Sequence, residues 1–176
     1  MNVVCTELPG VLLFEPQVFR DQRGRFLEIW REDAYREAGI PRPFVQDNVS
    51  CSRNNVLRGL HYQWPRPQGK LISVLRGEIF DVAVDIRLGS PTFGSWVGYF
   101  LSGTNARQLY VLPEGFAHGF VVTSDYALVA YRCTDYYVPL ADRCVSWNDP
   151  DLRINWPVDN PILSTKDRAA PMFGRS

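Results

Sequence analysis

The chain has 176 residues, a length that suits one folded domain with a continuous apolar core. Apolar residues make up 45% of the chain and charged residues 22%, a composition that is ordinary for a globular protein and excludes a disordered chain. Basic and acidic side chains balance at 19 each, so the basic excess of a nucleic-acid-binding surface is absent. A cleft with a few arginines can still bind a small anionic ligand.

Strands dominate the predicted elements, and one helix precedes most of them. The helix is predicted from Arg31 to Ala38, because Gly39 and Pro41 form the usual signal that ends a helix. The β-rich runs that follow are separated by turns containing Gly or Pro; they cover residues 71–75, 78–86, 94–101, 108–112, 120–123 and 128–134. Many short strands joined in this way are typical of a β-sandwich or β-barrel.

The run 78–86 shows the clearest alternation. Its even-numbered positions from Phe80 onward are apolar, whereas Asp81, Ala83 and Asp85 fall on the opposite face. This period of two predicts a half-buried strand, and we interpret both aspartates as structural. Residues 155–176 are rich in Pro and polar side chains, and we expect them to wrap the barrel without adding a strand to it.

The N-terminus and the cysteines bear on the compartment. Residues 1–10 contain no basic segment followed by an apolar stretch, and no apolar run reaches about 18 residues, so neither a secretory signal nor a membrane span is predicted. The four cysteines include no C-x-x-C pair, and we interpret them as free thiols. We therefore expect a cytoplasmic protein.

Only two histidines occur, and their settings limit the chemistry. His118 lies in a stretch that resembles the P-x-G-x-x-H turn of the cupin superfamily of small jelly-roll barrels. Metal-binding cupins usually supply an H-x-H pair, but the residue two after His61 is Gln63, so we expect no metal. Phosphate-loop, nucleophile-elbow and redox-cofactor signatures are also missing, which leaves proton transfer by histidine without a cofactor. A metal-dependent cupin such as a dioxygenase is the alternative, which metal analysis would test.

Seven motifs together resemble the dTDP-4-dehydrorhamnose 3,5-epimerase family, over almost the whole chain from Pro9 to about Pro171. They cover residues 19–28, 44–48, 56–63, 68–71, 81–87, 113–120 and 163–167. The resemblance implies an all-β, cupin-type jelly-roll β-barrel with a few short helices, as a single domain over residues 1–176. It also implies a homodimer that shares N-terminal strands across its interface. From the balanced charge and the short apolar runs, we expect no nucleic-acid or membrane partner.

The family inverts C3 and C5 of a 4-keto-6-deoxy hexose carried on dTDP, and the resemblance assigns four catalytic residues. His61 is the base, and Asp167 is the carboxylate that orients it. Tyr131 is the acid that returns a proton from the opposite face of the ring. Lys70 places positive charge beside the C4 oxygen, where negative charge develops in the enolate.

The resemblance also assigns nine substrate-binding residues. They are Arg23 and Glu28 at the nucleotide end, Gln46 and Asn48 in the Q-D-N segment, Arg58, His118 and Lys166 at the sugar or diphosphate, Tyr137 against the thymine, and Asp142. Arg23 and Glu28 have a simpler alternative as a surface ion pair.

Three departures from the family pattern bear on the reaction. Asp142 replaces a common Glu, Tyr62 replaces a common Phe, and residues 127–130 lack the usual acidic and aromatic pair. They leave open a mono-epimerase that acts at C3 or C5 alone. A non-catalytic sugar-nucleotide-binding module would be expected to lose the base or the lysine, and both are present.

Overall fold

The computed structural model describes residues 1–112 and 114–174, which form two large antiparallel sheets and one small hairpin. The six-stranded sheet has the order β1 (Asn2–Cys5), β2 (Val11–Glu15), β10 (Gln108–Val111), β7 (Lys70–Arg76), β12 (Tyr126–Cys133) and β5 (Gln46–Arg53). The five-stranded sheet has the order β13 (Asp142–Cys144), β6 (Leu57–Gln63), β11 (Phe116–Val122), β8 (Glu78–Asp85) and β9 (Trp96–Ser102). The hairpin consists of β3 (Val18–Asp21) and β4 (Gly24–Leu27).

The two large sheets pack face to face around one apolar core. Side chains from both sheets, including Leu109 and Val129 of one and Ile79 and Leu101 of the other, are fully buried between them. The strands of each sheet pair only within that sheet, so the sheets do not close into a hydrogen-bonded barrel. The predicted all-β jelly roll is confirmed, in the double-sheet form with open edges.

Strand β8 differs from its prediction. Its alternation is as expected, but the strand is buried on both faces and not on one. The predicted apolar face, with Phe80, Val82 and Val84, packs against C-terminal side chains that include Trp156 and Phe173. The C-terminal segment thus covers the outside of the five-stranded sheet, as predicted; its only β-bridge among the described residues joins Val56 to Ile162.

The predicted helix is present as α1 (Glu32–Glu37), and Gly39 follows it with a positive φ of 108°. Tyr35 anchors it to the six-stranded sheet through a hydroxyl that donates to Gln108 Oε1 at 2.5 Å. Gln108 Nε2 in turn donates to Ser73 Oγ at 2.6 Å. Burial raises the pKa of Tyr35 to about 12, so its hydroxyl stays a donor in this buried network.

The structure also shows whether a helix could span a membrane and whether the cysteines are paired. Among the described residues, no helix is both long and apolar enough to cross a membrane. All four cysteines are free, as predicted.

Asp85 has the structural role that the sequence suggested. Its carboxylate is fully buried at the end of β8 and accepts hydrogen bonds from the side chains of Arg87, Ser90 and Thr92. Burial alone would raise its pKa, but these hydrogen bonds outweigh burial and hold the pKa well below its usual range. The carboxylate therefore fixes the turn that joins β8 to β9.

We predict that Asp85→Asn lowers the free energy of unfolding by about 2–4 kcal/mol at pH 7, because the guanidinium partner loses its counter-charge. A carboxyl with a lowered pKa stabilises the fold above its unfolded-state pKa of about 4, and this stabilisation is lost as the pH falls. Urea denaturation should show the difference between wild type and variant shrinking below about pH 4. A difference that is constant with pH would contradict this account.

Candidate active site

The predicted site residues meet in a cavity between the two sheets, which has two adjoining chambers. The histidine chamber, of about 210 Å³, contains Arg58, His118 and Asp167. The amide chamber, of about 400 Å³, contains the residues Gln46, Asn48, Gln63, Gln68, Tyr137 and Asp142. Both chambers are lined by the same four polar side chains, namely His61, Lys70, Tyr131 and Lys166.

The pairing of β6 with β11 places the two histidines side by side. His61 and His118 are direct partners in this antiparallel pair, so their side chains project from the same face. The strands approach closely nearby, because a Cβ on Gly59 would lie only 2.6 Å from the Cα of Gly119. Gly59 also has a positive φ of 124°, a conformation that side-chain-bearing residues rarely adopt.

His61 is held by the carboxylate that the resemblance predicted. Its Nε2 lies 2.5 Å from Asp167 Oδ1, although 106 residues separate the two. Asp167 belongs to the short helix α2 (Thr165–Arg168), and Ser164, which caps this helix, donates to Asp167 Oδ2 at 2.9 Å. With Nε2 engaged by the carboxylate, Nδ1 of His61 is the ring nitrogen available to accept a proton.

Asp167 is 3% exposed, yet its environment keeps it ionised. Burial alone would raise its pKa, but hydrogen bonds from His61 and Ser164 and the nearby Lys166 charge outweigh burial and lower the pKa. An ionised Asp167 both orients the imidazole and stabilises its positive charge after proton uptake.

Tyr131 and Lys70 face His61 from the opposite wall. Both belong to the six-stranded sheet, on β12 and β7, whereas His61 belongs to the five-stranded sheet. Burial raises the pKa of Tyr131, so its phenol is protonated at neutral pH and able to donate that proton. The cavity therefore has a base on one wall and an acid on the other.

Lys70 is the unpaired cation of this wall. Its ammonium makes no hydrogen bond or ion pair with another described residue, and only burial and more distant charges act on it. Burial lowers the pKa of Lys70, while the Cys133 thiol and the charges of Asp142 and Asp81 act in the opposite direction. An ammonium without a protein partner is available to stabilise negative charge that develops on a ligand.

Five predicted binding residues form one hydrogen-bonded wall of the amide chamber. The hydroxyl of Tyr137 donates to Asp142 Oδ2 at 3.0 Å, and Lys166 Nζ donates to the same oxygen. The backbone N–H of Tyr137 donates to Gln46 Oε1 at 2.8 Å, and Gln46 Nε2 donates to Asn48 Oδ1 at 3.0 Å. The Asp142 carboxylate thus joins the loop of Tyr137 to the segment that carries Asp167.

Sequence reasoning missed two supporting residues. Ser52 Oγ accepts hydrogen bonds from Arg58 Nε and Nη2 at 3.1 and 3.0 Å and so fixes the guanidinium in the histidine chamber. The polar residues along β5, from Gln46 to Ser52, were the available signal. The second is Asp81, interpreted above as structural, whose Oδ1 lies 2.8 Å from His118 Nε2.

Arg23 and Glu28 do not reach the cavity of their own chain. Arg23 is on the hairpin, where its side chain is 85% exposed and paired with Asp21 at 2.5 Å. The carboxylate of Glu28 lies 3.8 Å from Arg31. Their assignment to the nucleotide therefore stays a prediction, whereas the other predicted site residues all line the two chambers.

No cluster of three or more His, Cys, Asp or Glu side chains suited to a metal ion occurs within residues 1–112 and 114–174. Each imidazole Nε2 is instead bonded to a carboxylate. Both imidazoles thus have a single ring nitrogen left to face the cavity.

Comparisons with known proteins agree with this geometry. Residues 5–175 match the family described as dTDP-4-dehydrorhamnose 3,5-epimerase. A Pseudomonas aeruginosa relative of that name is 56% identical, over 98% of this chain and 96% of the relative. A dTDP-4-dehydrorhamnose 3-epimerase from Streptomyces niveus is 40% identical, over 96% of this chain and 82% of the relative.

A solved structure of an epimerase has the same fold as this chain. The Legionella pneumophila dTDP-6-deoxy-D-glucose-3,5-epimerase, in complex with dTDP-4-keto-L-rhamnose, is 52% identical with a TM-score of 0.94. The match covers 98% of this chain and 92% of that one. The chain belongs to the dTDP-4-dehydrorhamnose 3,5-epimerase family.

Proposed function

We propose that this protein is a dTDP-4-dehydrorhamnose 3,5-epimerase. It inverts C3 and C5 of dTDP-4-dehydro-6-deoxy-D-glucose and so produces dTDP-4-dehydro-L-rhamnose. The observation that carries the proposal is the arrangement of three groups around one cavity: a carboxylate-held imidazole on one wall, and a phenol and an unpaired ammonium on the other.

The ketone of the substrate explains why these three groups suffice. C3 and C5 both flank the C4 carbonyl, so removing a proton from either carbon moves charge onto the C4 oxygen. Lys70 supplies a positive charge that no described protein group pairs with directly. Preorganised stabilisation of a developing charge is often what lowers the activation barrier of an enzymatic reaction most.

Inversion requires that the proton leave from one face of the ring and return to the other. His61 Nδ1 removes the proton, and Asp167 stabilises the imidazolium that results. Tyr131, on the opposite wall, gives its phenolic proton to the other face of the enolate carbon. General acid–base catalysis of this kind contributes about 10²- to 10⁴-fold in rate. Only protons move, so the reaction needs no redox cofactor.

The nucleotide end fits the polar surroundings of the same cavity. Arg58 and Lys166 provide positive charge for the diphosphate, and a guanidinium can donate two parallel hydrogen bonds to it. Tyr137 offers a half-exposed aromatic ring for stacking on thymine.

A mono-epimerase is the second candidate. The relative named as a 3-epimerase shares 40% identity with this chain, so close similarity does not by itself separate the two reactions. Tyr131 does not separate the two reactions either, because inversion of even one carbon needs an acid on the second face of the ring.

We also propose a homodimer, in which the hairpin of one copy reaches the cavity of the other. Phe19 and Phe26 on this hairpin are 53% and 69% exposed, with ring centroids 6.4 Å apart. An exposed aromatic pair of this kind is typical of a contact surface. The arrangement would bring Arg23 to a nucleotide that its own chain does not contact.

A cytoplasmic location is proposed as well, supported by the four free cysteines.

Isotope exchange tests the proposed reaction. Incubation with dTDP-4-dehydro-6-deoxy-D-glucose in deuterated buffer, without added metal, should remove the C3 and C5 proton signals from the NMR spectrum. His61→Asn should lower both exchange rates by at least about 10³-fold, because the base is lost, while dTDP still binds. Exchange at one carbon alone would identify a mono-epimerase. No exchange by wild-type protein that binds dTDP would leave only a binding module.

Lys70→Met should abolish the reaction while making the folded protein more stable. The variant is expected to abolish exchange, because the enolate oxygen loses its cation. We expect it to raise the free energy of unfolding by about 1 kcal/mol, because a partly buried charge without a partner is replaced by an apolar chain of similar size. Urea denaturation at pH 7 measures this gain. A stability loss of similar size would show that the ammonium stabilises the fold.

Mixed dimers test whether the hairpin completes the partner's site. Arg23→Ala and His61→Asn homodimers should each be weakly active. Refolding the two together should restore about a quarter of wild-type activity, because half of the dimers are mixed and each has one intact site. If each site is built from one chain, mixing restores nothing. A species that sediments only as a monomer would also contradict the proposal.

A further inference from the structure

His118 is paired with a carboxylate in the same way as His61, on the adjacent strand of the sheet. Its Nε2 lies 2.8 Å from Asp81 Oδ1, and the pair links β11 to β8. In the register of β8 and β11, Ala83 lies opposite His118, so both side chains project from one face of the sheet. Asp81 is two residues from Ala83 and therefore projects from that same face. The cavity therefore contains two imidazole–carboxylate pairs and not one.

Among the described residues, the side chain of Asp81 makes one hydrogen bond, to His118. It is completely buried, and its second oxygen, Oδ2, has no hydrogen-bond partner among the described residues. Asp85, four residues further along the same strand and equally buried, instead fixes a turn through three side chains. Burying a carboxylate is costly unless it is paired. A carboxylate whose one side-chain partner in the described part of the chain is His118 therefore points to a role through that histidine.

The proton on the pair follows from the donor and acceptor properties of the groups. When the Asp81 carboxylate is ionised it only accepts, and Nε2 of His118 then carries the hydrogen of the pair. Nδ1 makes no hydrogen bond with another described residue, and His118 lines the histidine chamber. Nδ1 is therefore the nitrogen that a ligand in this chamber would meet.

The charged and titratable groups around His118 come from every element that borders the chamber. They are His61 and Arg58 from β6, Lys70 from β7, Asp81 from β8, Tyr131 from β12, and Lys166 and Asp167 from the α2 segment. Asp167 is already engaged by His61 and Ser164. Asp81 is the remaining carboxylate of this group, and within residues 1–112 and 114–174 its one side-chain hydrogen bond is to His118.

We propose that Asp81 is a positioning residue, which holds His118 as the Nε2–H tautomer and so presents Nδ1 to the bound sugar nucleotide. The identity of this ligand rests on the function proposed above. The carboxylate thereby fixes both the ring orientation and the nitrogen that contacts the substrate, as carboxylates do for histidines at other catalytic and metal sites.

The chain offers a direct test, because it contains only two histidines. Long-range ¹⁵N–¹H NMR of the wild-type side chains reports the tautomer of each ring, and His61→Asn assigns the signals. We expect the Nε2–H form for neutral His118 in the wild type and a mixture of tautomers in Asp81→Asn, whose amide can either donate or accept. A wild-type His118 with the hydrogen on Nδ1 would overturn the proposal.

A double-mutant cycle tests the functional consequence. Asp81→Asn and His118→Asn should each lower kcat/KM by about 10- to 100-fold, the value of one hydrogen bond to a charged group. If Asp81 acts through His118, the double variant should match His118→Asn within about twofold. Independent losses that multiply would show that Asp81 has a separate, structural effect.

Asp85→Asn is the matched control, since it removes an equally buried carboxylate from the same strand. We expect it to lower stability without changing the His118 tautomer. If Asp81→Asn does not fold, the wild-type tautomer alone decides the question. The NMR result does not depend on turnover, so failure of this inference is distinguishable from failure of the proposed epimerase activity.

Discussion

The hydrogen bond between His61 Nε2 and Asp167 Oδ1 joins strand β6 to the C-terminal segment. That segment covers the apolar outer face of the five-stranded sheet, which would otherwise be exposed to water. Packing by Trp156 and Phe173 brings α2 to the cavity, and the Ser164 cap then aims the Asp167 carboxylate at the imidazole. The base is thus oriented by the same segment that completes the fold.

Polar groups line the cavity between the sheets, although burying these groups does not stabilise the fold. Apolar side chains fill the rest of the space between the sheets, whereas Lys70 faces the cavity with no partner among the described residues and Asp81 is buried with one oxygen unsatisfied. Each of these groups costs folding free energy unless a ligand or neighbour offsets it. Their presence on the inward faces of β7 and β8 is understandable if they serve a bound substrate.

Local pattern predicted the helix that ends before Gly39, the alternation of β8 and the all-β architecture, because these follow from periodicity and turn chemistry. The burial of β8 on both faces was not predictable locally, since Trp156 and Phe173, which cover it, lie more than 70 positions later. The pairing of His61 with Asp167 was available only from the family resemblance. Asp81 and Asp85 share one sequence pattern, a buried aspartate on a strand, although Asp81 contacts a histidine and Asp85 fixes a turn. Arg23 lies on the exposed hairpin, outside the cavity of its own chain.

The most direct test of the account is a crystal structure of the His61→Asn variant with dTDP-4-dehydro-6-deoxy-D-glucose bound, since loss of the base should preserve the substrate. The account predicts that the C4 oxygen lies within hydrogen-bonding distance of Lys70 Nζ. The sugar ring should lie between residue 61 on one face and the Tyr131 hydroxyl on the other. A sugar ring bound with both groups on the same face, or with its C4 oxygen directed away from Lys70, would contradict the proposed mechanism.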